Sequence, residues 1–104
     1  MRSPQAVERA LSAPDTLGLE SRVEVRKAAI RLLEEMPEGS ARLIIDLGRT
    51  RQVDSAGLGV LMLIQRAAAE RRHTVVLRNP SEEIRFLLVL TKLDDLFHIE
   101  LGDD

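Results

Sequence analysis

Apolar and polar positions change their period along the chain, and each change marks an element. Leu19, Val23, Ile30 and Leu33 recur at spacings of four, seven and three, with Ala29 widening the stripe, which predicts an amphipathic helix over Leu19 to Met36. Arg22, Glu24, Arg26, Lys27, Arg31, Glu34 and Glu35 form its solvated side, and Pro37-Glu38-Gly39-Ser40 ends it. Arg42-Leu43-Ile44-Ile45-Asp46-Leu47 is a short apolar run between turn residues, the pattern of a strand covered on both faces in a mainly parallel sheet. After the loop Gly48 to Asp54, a second helix is expected from about Ala56 to Arg72. Its first half is apolar almost all round (Leu58, Val60, Leu61, Met62, Leu63, Ile64), which predicts burial, and Arg71, Arg72 and His73 suit the negative end of its dipole. Thr74 to Arg78 reads as a β-branched strand. Asn79-Pro80-Ser81-Glu82 reads as a helix start, with Asn79 as N-cap, Pro80 at the first helical position and Glu82 completing a capping box. That third helix should reach Leu90 or Thr91, and Leu93 to Glu100 should form a turn and a short edge strand before an acidic tail over 101–104.

Helix and strand alternate as in an α/β layer fold. Ala6 to Leu11 reads either as a strand, with Val7, Arg9 and Leu11 alternating with Ala6, Glu8 and Ala10, or as a helical turn; the alternation favours the strand. The expected organisation is a 1–18 segment with a short edge strand, a domain over 19–100, and the tail.

Composition narrows the function classes. With 104 residues, the chain holds one domain and one core. Its net charge of -2 supplies no basic face for nucleic acid, and Phe86 and Phe97 are too few aromatics for base stacking. There is no cysteine, so thiolate metal sites and cysteine nucleophiles are excluded. Charges follow Met1-Arg2-Ser3-Pro4, and no apolar run reaches the ~18 residues that spanning a membrane needs, so a cytoplasmic location without direct membrane contact is the expectation.

Among residues that could carry chemistry, Ser55 stands out. It lies between a buried strand with its loop and a buried helix, where its hydroxyl would serve as N-cap. Gly57 and Gly59 follow within the first turn and a half, each costing about 0.5 to 1 kcal/mol relative to Ala, so their missing side chains are expected to let a partner's backbone approach. A phosphate on Ser55 would meet unpaired N–H groups and the positive end of the dipole, with Arg49 and Arg51 within reach and Asp54 repelling it. Asp46, Asp54 and Asp15 suggest a cation site only weakly, a strand-end carboxylate being more often a loop cap or ion pair. His73 and His98 lack ligand spacing and read as solvated edge histidines. Val53 stands where a serine-hydrolase elbow needs Gly, and no Gly-Lys-Ser/Thr follows Gly57-Leu58-Gly59. No catalytic residue, metal or cofactor is therefore expected.

Leu-Ile-Ile-Asp-Leu at 43–47, Val-Asp-Ser-Ala-Gly-Leu-Gly-Val at 53–60, Val75 to Pro80 and Leu90 to Ile99 together resemble the STAS domain family, named for sulfate transporters and anti-sigma factor antagonists. The resemblance spans about 19–100. It implies a four- or five-stranded, mostly parallel sheet with helices packed mainly on one side, and a phosphorylatable serine at Ser55. It further implies a regulatory, non-enzymatic module like the bacterial antagonists, binding an anti-sigma factor that is also a serine kinase, released by phosphorylation and restored by a serine phosphatase. Carried over, Asp54 is the recognition neighbour of Ser55, and Ala56, Gly57 and Leu58 adjoin the contact surface. The alternative is an assembly component of a stress-signalling complex or of a lipid-transport ABC system, with Ser55 as contact surface. Two features depart from the family pattern. The 18 residues before the first expected helix hold barely one strand instead of the usual hairpin, so the edge is expected to be short or completed by a homodimer; and Lys92 stands where Gly is common.

Overall fold

The computed structural model describes residues 7–102. Ala6 and Asp103-Asp104, parts of the expected first strand and acidic tail, lie outside them. The order is β1 (Glu8–Ser12), β2 (Thr16–Leu17), α1 (Arg22–Glu35), β3 (Arg42–Asp46), β4 (Gln52–Val53), α2 (Ser55–Glu70), β5 (Thr74–Arg78), α3 (Glu82–Leu90), a single 3-10 turn (Asp94–Leu96) and β6 (His98–Glu100). Four strands form one all-parallel sheet in the order β1-β3-β5-β6, while β2 and β4 pair separately as a short parallel ribbon. This is the small single α/β domain that the sequence predicts, with the N-terminal edge supplied by one five-residue strand paired along its whole length, Glu8 opposite Arg42 to Ser12 opposite Asp46.

Alternation along β3 and β5 divides their apolar residues between two faces. Leu43, Ile45, Val75 and Leu77 join residues of all three helices, among them Ala29, Leu61 and Leu88, in one core cluster. Ile44 and Val76 point the other way and lie outside that cluster, yet they are only 3% and 0% exposed. Across them on the helix-free face run Arg42 to Glu8 (2.6 Å), Arg42 to Glu100 (3.6 Å) and Arg78 to Glu100 (2.6 Å). The Arg42 to Glu100 contact reaches from β3 to β6 and so crosses β5 over Val76.

Helix boundaries differ from the periodicity in instructive places. Ser21 holds the entry to α1, its Oγ donating to the Thr16 carbonyl (2.8 Å) and accepting from the Gly18 N–H (3.0 Å). The helix therefore begins at Arg22 and its phase buries Val25, Ala29 and Leu33, leaving Leu19 and Val23 exposed. α2 ends at Glu70, and Arg71, Arg72 and His73 turn away from it: the His73 N–H donates to the Ala68 carbonyl and the Arg72 N–H to the Ala69 carbonyl, with Arg72 at φ 62. The same Schellman pattern closes α3, where Lys92 at φ 61 donates to the Val89 carbonyl and Leu93 to Leu88. The backbone at Lys92 is thus the left-handed kind that glycine adopts most easily.

Two side-chain expectations are corrected. Asn79 is not an N-cap: it sits at φ 57, its N–H bound to the Glu100 carbonyl, and Ser81 caps α3 by accepting from the Ile84 N–H (3.2 Å), so Pro80 precedes the helix and no capping box to Glu82 forms. His73 is buried, Nε2 lying 2.9 Å from the Pro37 carbonyl, because the turn after α2 packs against the end of α1; His98 is exposed as expected.

Candidate functional site

The start of α2 is built around a carboxylate. Asp54, in extended conformation, is the N-cap: Oδ1 accepts from the Gly57 N–H (2.9 Å) while Oδ2 accepts from the Leu19 N–H (3.2 Å). One side chain thus satisfies the first turn of α2 and ties it to the segment entering α1. The Gly57 N–H, then the Leu19 and Ala56 N–H groups, hold its carboxyl below the ordinary carboxylate range. Ser55, expected to cap, is instead the first residue of the helix and is exposed. The anion that occupies the helix N-terminus is therefore Asp54 itself, which also takes an N–H that a phosphate on Ser55 was expected to meet.

The two glycines have separate roles. Gly57 is buried, and a Cβ there would overlap the Leu17 carbonyl oxygen of β2; its missing side chain admits this chain's own backbone, not a partner's. At Gly59 a Cβ would meet nothing within 4 Å, and the residue faces solvent. Ala56 and Leu58 are half-buried.

The loop arginines part company. Arg49 donates from Nε to the Ala13 carbonyl (3.2 Å) and lines a depression with Ser12 and Glu24, whereas Arg51 lies 3.5 Å from Asp15 and shares a groove with Asp54. Asp46 caps its loop by accepting from the Gly48 N–H (2.8 Å). With Asp15 on Arg51 and Asp54 on two backbone N–H groups, the three carboxylates have separate partners, and no cluster of three or more metal-ligating side chains occurs among the described residues.

Apolar surface surrounds this helix start. A groove between α1 and α2 is lined by Arg22, Val23, Arg26, Ala56, Gly59 and Leu63; a second, beside α3, is lined by Arg51, Asp54, Glu83, Phe86, Leu87 and Leu90 among others. Phe86, Val89 and Leu90 are 67%, 58% and 66% exposed, and Met62 and Leu63 are also exposed, so α2 is not covered all round as its composition predicts. Sequence reasoning singled out Ser55 and Asp54 but passed over Arg22, Arg26 and the α3 face. The signal was present in Phe86 to Leu90, five consecutive apolar residues in a short helix that can bury only one side.

The family model described as "Mlab, STAS domain" matches residues 6–100. The STAS-domain containing protein PA14_20770 of Pseudomonas aeruginosa (strain UCBPP-PA14) is 33% identical over 58 residues, covering 56% of this chain and 57% of that protein. The fold is similar to a Thermotoga maritima protein (tm1081) described as a candidate anti-sigma factor antagonist, with a TM-score of 0.76 at 23% identity over 94% of this chain and 84% of that one. It is also similar to the anti-sigma factor antagonist SpoIIAA in its unphosphorylated form, at 0.68 and 14% identity over 99% and 86%. A sulfate transporter family protein from Wolinella succinogenes follows at 0.63 and 15% over 92% and 77%. Among the described residues no helix is long and apolar enough to cross a membrane.

Proposed function

The chain belongs to the STAS domain family, and from that membership we propose that it is a regulatory protein-binding module of the anti-sigma factor antagonist kind, switched at Ser55. It binds a serine kinase that doubles as an anti-sigma factor while Ser55 is unmodified, is released when that kinase phosphorylates Ser55, and is restored by a serine phosphatase. The observation that carries this reading is the exposed position of Ser55 as the first residue of α2, with capping delegated to Asp54 and apolar surface on both sides. Because Asp54 does the capping, a phosphate on Ser55 leaves the helix start intact and changes the surface by about two negative charges beside an existing carboxylate. Asp54 and Ala56 with Leu58 form the rim of the contact, and Arg51 is the loop arginine that shares a groove with Asp54. Incubation with the cognate kinase and ATP adds one phosphate, Ser55→Ala abolishes it, and Ser55→Asp weakens partner binding; mass spectrometry that finds undiminished phosphate on the Ser55→Ala chain sinks the reading.

A second reading is an assembly component of a stress-signalling complex or of a lipid-transport ABC system, with Ser55 as contact surface. The extent of exposed apolar surface on α3 favours it, since long-lived interfaces are the more hydrophobic ones. Stable co-purification with a transporter ATPase and no phosphorylated species in the chain isolated from its own cells would select this reading over the first.

A further inference from the structure

Arg22, Arg26, Lys27 and Arg31 of α1 form no ion pair among the described residues, whereas the ion pairs that do form lie on the helix-free sheet face and at Asp15. A cationic strip thus runs along one helix of a chain whose net charge is -2. Arg22 and Arg26, one helical turn apart, line the groove against α2, and Lys27 and Arg31 line a second depression that shares Arg26 with it and also includes Glu34. Glu24 faces the opposite flank, beside Ser12 and Arg49. Within the groove, Val23 and Leu63 are 47% and 42% exposed. Gly59 lies beside them, and no described residue comes within 4 Å of where its Cβ would stand, although glycine inside a helix is destabilising relative to alanine.

We infer that the groove between α1 and α2 receives an acidic, amphipathic segment of a partner protein. Its carboxylates pair with Arg22 and Arg26, its apolar side lies on Val23 and Leu63, and its backbone approaches over Gly59. The inference rests on reading the start of α2 as a binding surface. It also supplies the sign of the switch: a phosphate on Ser55, next to Ala56 of the same groove, repels an acidic segment and competes for the same arginines. An anionic membrane would also meet the cations, but a recess between two helices with apolar residues inside it fits a polypeptide segment better than a flat lipid surface.

The test titrates the isotope-labelled full chain with a short helical peptide carrying leucines on one face and glutamates flanking them, with its lysine-flanked twin, and with phosphatidylglycerol vesicles. The glutamate peptide should shift the amide signals of Val23, Ala56, Gly59 and Leu63, and the twin should not. Arg22→Glu/Arg26→Glu should weaken the glutamate peptide by about tenfold at unchanged melting temperature, and Gly59→Gln should weaken it too. Equal binding of the twin, equal shifts from the vesicles, shifts confined to α3, or no shift with the glutamate peptide overturns the inference. Arginine-independent binding that Ser55→Asp still abolishes defeats this inference and leaves the Ser55 switch standing. Arginine-dependent binding indifferent to Ser55→Asp does the reverse.

Discussion

On the helix-free side of the sheet, Ile44 and Val76 are buried although no described helix covers them, because Arg42, Arg78, Glu8 and Glu100 close over them. On the helical side, around the start of α2, Leu19, Val23, Leu63, Phe86 and Leu90 stay exposed although charged side chains stand next to them. The charges are used differently. Glu100 and Arg78 are committed to each other, their hydrogen bond holding the carboxyl below its ordinary range and the guanidinium above its own. Arg22 and Arg26 have no such partner among the described residues, and the apolar side chains between them remain open. One face is closed by the chain's own ion pairs, and the other is left in the condition of half an interface.

Covered and open apolar side chains stand side by side within α3. Leu88→Ala, on the covered side, should cost about 3 kcal/mol in urea unfolding, whereas Phe86→Ser with Leu90→Ser should change stability by only about 0.5 kcal/mol and still impair partner binding. Similar losses from both would mean that the exposed side is part of the core after all. The next largest contrast is between the glycines of α2: Gly57→Ala should cost about 2 kcal/mol, because its Cβ meets the Leu17 carbonyl, while Gly59→Ala should raise stability by about 0.5 to 1 kcal/mol. Equal and opposite outcomes, read from unfolding midpoints, would reverse the roles given to the two positions.

The smallest effect is an acid titration. Asp54 and Glu100 have folded-state pKa values lowered by backbone N–H groups and by Arg78 respectively. Their stabilisation is therefore complete above the unfolded values near pH 4 and is lost as pH falls through the lowered ones. Asp54→Asn and Glu100→Gln should each flatten the decline in melting temperature below about pH 4. A variant curve parallel to the parent over that range would remove the carboxylate concerned from the account.

How far the sequence reached can be seen residue by residue. The central strands were legible because Leu43 to Ile45 and Val75 to Leu77 are apolar on both faces between clear turn signals. Ser55 and Asp54 were legible as the junction of strand, loop and helix. Which of them caps was not, because either side chain can accept the capping hydrogen bond, and the choice depends on Leu19, 35 residues away in sequence, donating to the same carboxylate. The phase of α1 escaped for a similar reason: Val23 and Val25 are equally apolar, and the Ser21 contacts to Thr16 and Gly18 set which one turns inward.

The α/β alternation, the single domain, the lack of cysteine chemistry and the candidate position at Ser55 were readable from the sequence, since these follow from local period, composition and a short motif. Tertiary structure alone decided that Gly57 is filled by the chain and Gly59 is not, that Arg49 and Arg51 point to different partners, and that Arg22 and Arg26 of α1 are the cations facing α2. Each of these depends on which distant backbone or helix arrives at a residue, and a side chain's spacing along the chain carries no information about that arrival.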